Sequence, residues 1–272
     1  MKLKKTIING LVLGLFTGAL VACGGGSENT GRPFAFDHFD MRTLHFDGRF
    51  IQSAMRISAP DELLLSYTRA MMAFLLFNPK PLHILMIGLG GGSLAKYCYR
   101  HLPASRITVL ELDQDVIALR DKFSIAANDD RFQVVHADAA DYLFHLTDKV
   151  DIILHDGFNV EGLAPSLSTE HFYRQCHNVL APQGILVSNL WGDGCDLDPV
   201  MARLHEVFGA RSCWCNAIGT QNRIVFSAKG SNESMVGSGL AKHAYRLDQC
   251  YGLKFSGLVD QLEAALDTVN IA

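Results

Sequence analysis

Glycines and carboxylates follow four short apolar runs of the chain, and together they could bind a nucleoside. A glycine-rich loop at 88–92 follows the first run, Glu111 ends the second, and Asp138 and Asp156 follow the third and fourth. Glycine lets the backbone turn tightly and lets a ligand approach closely. An acid about twenty residues beyond such a loop can accept hydrogen bonds from ribose hydroxyls. A further acid can accept from an adenine amino group, and Asp156 would then act as a base or hold an amine beside the nucleoside.

Each of these features also has a plainer interpretation. The loop could be a packed strand–helix turn, the acids could be solvated loop charges, and Asp156 could cap a turn. Ser93 occupies the sixth position of a G-x-G-x-x-G pattern, so the dinucleotide fingerprint fails, and the absence of a Lys-Ser/Thr pair excludes a P-loop. The sequence also lacks G-x-S-x-G and H-E-x-x-H motifs, which argues against such hydrolases and metalloenzymes, and we expect no metal.

Alternating strands and helices must position these residues. The pattern predicts strands at 84–87, 106–111, 132–136, 150–155 and 185–190, helices at 93–101, 115–123, 139–146, 168–180 and 198–208, and two antiparallel strands at 212–217 and 223–227. Continuous apolar strands alternating with helices indicate a parallel sheet covered on both faces. We therefore predict an α/β, Rossmann-like doubly wound fold with a mainly parallel seven-stranded sheet of the methyltransferase type. Ligands of such sheets bind at the carboxyl ends of the strands, where the four features lie.

The segments on either side of this pattern predict smaller units. Asp47-Gly48 between alternating runs predicts a hairpin of strands 43–46 and 49–55, and a helix is predicted from Pro60 to about Phe77. We divide the chain into a small N-terminal β region plus helix at 36–77, a nucleoside-binding domain at 78–230, and a C-terminal helical tail at 231–272 with an amphipathic helix at 258–269.

The N-terminus has the pattern of a secretory signal. Residues 1–5 are basic, 6–20 are apolar, and Leu20-Val21-Ala22-Cys23 resembles a bacterial lipobox. We predict a lipoprotein-type signal peptide at 1–22, a lipid anchor on Cys23, and a flexible tether at 23–35, which would place the protein on a membrane of the bacterial envelope. The alternative is a misassigned start codon, in which case the protein would be cytoplasmic. The predicted nucleoside ligand is made in the cytosol, which conflicts with an envelope location.

Composition excludes several other classes. The chain has 272 residues with a formal net charge of −4, so it lacks the basic surplus of a nucleic-acid-binding protein. Hydrophobic residues are 49% and charged residues 19%, which is a globular balance. The seven cysteines suggest no disulfide framework, and Cys213 and Cys215 in a strand-like run should point to one face as buried thiols.

From about Thr43 to Ser227 the sequence resembles the polyamine aminopropyltransferases, the spermidine synthase family, which share the class I methyltransferase fold. The stretches that carry the resemblance are 44–52 (LHFDGRFIQ), 61–63 (DEL), 83–92 (HILMIGLGGG), 109–113 (VLELD), 129–132 (DDRF), 151–156 (DIILHD) and 169–173 (TEHFY). The resemblance implies nucleoside-binding residues, a proton acceptor and amine-binding residues. It assigns Gln52, Gly88, Gly90, Glu111, Asp138 and Ala139 to the nucleoside, Asp156 to the proton, and Tyr67 and Asn159 to the amine side.

Three positions depart from the family pattern. The family loop G-G-G-D-G has an acid where this chain has Gly91, a second acid stands where this chain has Asn159, and the usual His after the tyrosine is Thr68. A desolvated ammonium group needs a paired charge. The loss of these acids therefore weakens the case for putrescine as the acceptor, and the identity of the acceptor amine stays open.

The implied reaction moves an aminopropyl group from decarboxylated S-adenosylmethionine to a putrescine-like amine, and family members are often homodimers. An S-adenosylmethionine-dependent methyltransferase remains an alternative, because the glycine loop and Glu111 would serve it too. A non-catalytic nucleoside-binding relative is the other alternative, which the lost acids and the lipobox favour. A nicotinamide dehydrogenase is disfavoured by Ser93.

Overall fold

A computed structural model describes residues 32–46, 51–159, 162–192, 194–209, 212–230 and 239–269, without the side chains at 159, 162, 194 and 267–269. The predicted signal peptide, the lipid anchor at Cys23 and the turn at Asp47-Gly48 lie outside the described residues and stay predictions. In the described ranges no helix is long and apolar enough to cross a membrane.

Twelve strands form the sheets of the described chain. They are β1 (Phe34–His38), β2 (Met41–His45), β3 (Ser53–Arg56), β4 (His83–Ile87), β5 (Arg106–Glu111), β6 (Phe132–His136), β7 (Val150–His155), β8 (Phe158–Asn159), β9 (Gly162–Leu163), β10 (Leu180–Trp191), β11 (Ser212–Asn216) and β12 (Asn222–Ala228). Seven of them form one sheet in the order β11-β12-β10-β7-β4-β5-β6. The strands from β10 to β6 are parallel to their neighbours, and β12 and β11 pair antiparallel. The predicted doubly wound, mainly parallel fold is confirmed.

Helices cover both faces of this sheet. They are α1 (Ser66–Met71), α2 (Ser93–His101), α3 (Gln114–Ala118), α4 (Ala139–His145), α5 (Glu170–Val179), α6 (Gly194–Phe208), α7 (Leu240–Tyr251) and α8 (Val259–Val269). Successive strand residues point to opposite faces. Ile84 and Met86 of β4 therefore enter one apolar core, while Leu85 and Ile87 enter the other. Burial on both faces explains why these strands have continuous apolar sequences.

The N-terminal sheet has the order β1-β2-β3, and the predicted hairpin is its β2–β3 pair. A two-residue turn at 47–48 would pair Leu44 with Ile51, whereas the structure pairs Leu44 with Ser53. The backbone N–H of Gln52 donates to the Leu44 carbonyl at 2.8 Å. With this register Gln52 and Ser53 line a cavity at the carboxyl ends of the parallel strands of the larger sheet.

The helix predicted from Pro60 begins at Ser66, so its N-terminal boundary was wrong by six residues. The acids at 61 and 62 do not cap a first turn, because Asp61 pairs with Arg100 at 3.1 Å and Glu62 pairs with Arg56 at 2.6 Å. Nη1 of Arg69 donates to the carbonyls of residues 63 and 64, in place of helical N–H groups. The backbone stays extended at Leu65, and Tyr67 falls in the first turn of α1.

Other boundaries differ less. The helix predicted at 115–123 is the shorter α3, because the chain turns back after it and the N–H of Ile125 donates to the Arg120 carbonyl. Helix α7 was not predicted as a separate element. Cys213 and Cys215 are buried free thiols, as predicted.

Candidate active site

One cavity of about 470 Å³ opens where β4, β5, β6 and β7 end, and β3 and α1 form its opposite wall. Every predicted site residue lines it except Asn159, whose side chain lies outside what the structure describes. The residues brought together are Gln52, Tyr67, Gly88, Gly90, Glu111, Asp138, Ala139 and Asp156. Their placement around one cavity agrees with the strand-end argument, while their individual roles stay predictions.

Gly88 lets the glycine loop pass against the end of β7. Its φ is +94°, and a Cβ built there would lie 2.4 Å from the carbonyl oxygen of Asp156. The backbone N–H of Gly88 donates to the Leu110 carbonyl at 2.9 Å. The loop therefore touches both neighbouring strands, and only a residue without a side chain fits at this position.

Glu111 fixes the glycine loop from the end of β5. Its Oε2 accepts from the N–H of Leu89 at 2.8 Å, and its Oε1 accepts from the N–H of Asp113 at 2.9 Å. Each carboxylate oxygen has a second lone pair. The half-buried side chain thus holds the loop and still offers acceptor capacity to a ligand in the cavity.

Asp138 and Ala139 form the wall at the end of β6. Oδ1 of Asp138 accepts from the N–H of Ala140 at 2.8 Å, so Asp138 is the N-cap of α4. The capping role and the predicted adenine contact are compatible, because Oδ2 has no hydrogen-bond partner among the described residues. Ala139 is buried beside it and provides an apolar surface.

Asp156 follows β7 and receives two hydrogen bonds. Nδ2 of Asn189 donates to its Oδ1 at 2.8 Å, and the Tyr67 hydroxyl also donates to the carboxylate. Burial raises the pKa of Asp156 to about 6, against the lowering effect of these two donors. Burial and the nearby Asp156 charge raise the pKa of Tyr67 well above its usual range. A carboxylate of this pKa is ionised near neutral pH and accepts a proton more readily than an exposed one.

Sequence reasoning missed four cavity residues at the ends of β10 and β12. They are Asn189, Trp191, Thr220 and Asn222. Asn189 is the next-to-last residue of the predicted strand 185–190, so a search near strand ends could have found it. Asn222 begins an antiparallel strand, and its position depends on the register Trp191↔Asn222, for which the sequence has no signal.

The structure shows the surroundings of two positions that depart from the family pattern, Gly91 and Thr68. A Cβ at Gly91 would lie 2.6 Å from Oγ of Ser53 and 3.0 Å from the ring of Phe123. Thr68 is buried, and its hydroxyl donates to the Leu65 carbonyl at 2.7 Å. Ser53 therefore occupies the space into which a side chain at position 91 would project.

The fold is that of an α/β protein of the methyltransferase type, with a cavity at the carboxyl ends of its parallel strands. Within the described ranges no group of three His, Cys, Asp or Glu side chains could hold a metal ion.

Comparison with known proteins gives the family. The family described as Spermine/spermidine synthase domain matches residues 64–197. A polyamine aminopropyltransferase of Chromobacterium violaceum is 36% identical over 225 residues, which are 82% of this chain and 86% of the relative. The chain belongs to the spermine/spermidine synthase family, and it is a transferase of the polyamine aminopropyltransferase type.

Solved structures agree on the fold. A probable spermidine synthase from Corynebacterium glutamicum superposes with a TM-score of 0.66 at 23% identity, over 80% of this chain and 82% of that one. Human methyltransferase-like protein 13, solved in complex with SAH, superposes with a TM-score of 0.62 at 26% identity, over 69% of this chain and 92% of that one.

Proposed function

We propose that the protein transfers the aminopropyl group of decarboxylated S-adenosylmethionine to a small, putrescine-like amine. The observation that carries the proposal is the position of Asp156, whose partly buried carboxylate shares one cavity with Glu111 and Asp138. A carboxylate beside a nucleoside site suits a reaction in which an amine is the nucleophile and must lose a proton.

The reaction balances with the residues present. The nitrogen lone pair of the acceptor attacks the aminopropyl carbon bonded to sulfur, and the carbon–sulfur bond breaks with its electrons going to sulfur. The sulfonium becomes the neutral thioether methylthioadenosine, and a proton of the attacking nitrogen passes to Asp156. Glu111 and Asp138 would hold the nucleoside, and Tyr67 and Asn189 hold Asp156 in place, so that positioning supplies much of the rate.

Product analysis tests this function against methyl transfer. We expect methylthioadenosine and an aminopropylated amine from decarboxylated S-adenosylmethionine with putrescine, spermidine or cadaverine. With S-adenosylmethionine itself as the donor, we expect no methylated amine. A methylated product together with S-adenosylhomocysteine would establish the methyltransferase alternative. We test this alternative because the structure is similar to that of methyltransferase-like protein 13.

The pH dependence should report Asp156. Transfer needs the ionised carboxylate, whose pKa is about 6, and a neutral acceptor amine, whose free pKa is about 10.4. We expect the logarithm of kcat/KM for the acceptor to rise with a slope of about two below pH 6 and about one above it, because each ionisation contributes one unit of slope. A single slope from pH 5 to 8 would contradict the assignment.

A further inference from the structure

Two asparagines connect Asp156 to the antiparallel part of the sheet. Nδ2 of Asn222 donates to Oδ1 of Asn189 at 2.9 Å, and Nδ2 of Asn189 donates to Oδ1 of Asp156 at 2.8 Å. Asn222 lies opposite Trp191 in the β10–β12 pair, two residues from Asn189. Such diagonal neighbours share a face of the sheet, which allows this contact. Asn189 is only 2% exposed, so these bonds form in a region with little water.

The orientation of the Asn189 amide decides what Asp156 receives. An asparagine amide has a donor end and an acceptor end, and a buried one can present either to its neighbour. Asn222 occupies the acceptor end of Asn189, which directs the donor end to the carboxylate. The backbone of Asn222 is held in turn, because its N–H donates to Oγ1 of Thr220 at 3.2 Å.

We propose that Asn222 is a positioning residue that sets the orientation of the Asn189 amide and, through it, holds Asp156 as an ionised, fixed carboxylate facing the acceptor amine. The proposal rests on the proposed role of Asp156. Asn222 does this without contacting Asp156, and therefore acts only through Asn189.

Other titratable groups of the described residues also lie around this carboxylate. Tyr67 donates to it from α1, and the acids Glu111 and Asp138 line the same cavity from the ends of β5 and β6. His155 precedes Asp156, but its ring packs against Phe172 of α5, and burial lowers its pKa to about 4, so it is neutral at pH 7. None of these groups is the hydrogen-bond partner of the Asn222 side chain, which donates to Asn189.

The experiment measures the pKa of Asp156 directly, by carboxyl ¹³C NMR of the full-length protein. The Asp156 signal is identified by its loss in Asp156→Asn. In Asn222→Asp the new carboxylate cannot donate to Asn189, so the amide turns its donor end to position 222 and its carbonyl oxygen to Asp156. A carbonyl facing the carboxyl favours the protonated form, and we expect the pKa to rise by about one unit. The exposed Asn178→Asp is the matched control and should leave the pKa unchanged.

We call the chain of hydrogen bonds from Asn222 through Asn189 to Asp156 the relay. Repeating the substitution in a second variant of the protein separates an effect of the relay from simple charge repulsion. With Asn189→Leu the relay is cut, and adding Asn222→Asp should then leave the pKa of Asp156 where Asn189→Leu alone puts it. An equal shift in both backgrounds would mean that the new charge acts through space, and it would overturn the proposal, as would the absence of any shift in Asn222→Asp.

Asn222→Leu covers the case in which the charged variant fails to fold. It removes the donor without adding charge, and we expect kcat to fall about tenfold, on the scale of one lost hydrogen bond, with methylthioadenosine affinity unchanged. An unchanged kcat would count against the relay. The NMR titration needs no turnover, so it tests the relay even if product analysis disproves aminopropyl transfer.

Discussion

Replacing Asp156 by Asn should lower kcat by about 10²- to 10⁴-fold, because that is the usual contribution of a positioned general base. Asn has the shape of Asp and can still accept from Asn189, so the cavity keeps its geometry. It cannot take a proton from the acceptor amine. Steady-state kinetics at saturating donor and acceptor would measure the loss, and calorimetry should give an unchanged affinity for methylthioadenosine.

A matched substitution controls for the loss of one negative charge. Asp130 is exposed and does not line the cavity, so Asp130→Asn should have the activity of the unchanged protein. The kinetic constants also distinguish two roles for Asp156, proton transfer and binding of the acceptor amine. A fall in kcat alone indicates proton transfer, whereas a rise in the KM for the acceptor indicates that the carboxylate binds the amine. Undiminished turnover in Asp156→Asn would remove the residue from the mechanism.

The sequence predicted well which residues meet at the carboxyl ends of β4 to β7, because their placement depends on local patterns. Strands β4, β5, β6 and β7 are continuous apolar runs, and the residue after each run must lie at the same edge of a parallel sheet. For this reason alone the glycine loop, Glu111, Asp138 and Asp156 are expected at one site, and all of them line one cavity.

Features that depend on distant partners were not predictable in the same way. The start of α1 was misplaced because Asp61 pairs with Arg100, a residue far along the chain. Asn222 reaches the site through the register of β12 against β10. Ser53 fills the space beside Gly91 only because the hairpin pairs Leu44 with Ser53.

Gly88→Ala should abolish nucleoside binding and destabilise the fold. The added methyl group would lie 2.4 Å from the Asp156 carbonyl oxygen, and a backbone oxygen on the end of β7 cannot move without displacing that strand end. The φ of +94° adds strain of about 1–3 kcal/mol for a residue with a side chain. Chemical denaturation and methylthioadenosine calorimetry would measure the two effects.

Gly252→Ala separates backbone strain from the clash. Gly252 ends α7 with a φ of +66°, and a Cβ there would meet nothing within 4 Å. Its substitution should cost about 1 kcal/mol of stability and leave ligand affinity unchanged, because it adds strain without contact. If Gly88→Ala bound methylthioadenosine as tightly as Gly252→Ala does, the close approach of the loop to β7 would not be needed for the site. The added methyl group must push the loop away from the end of β7. Unchanged binding would therefore show that the nucleoside does not depend on the contact between the glycine loop and the Asp156 backbone.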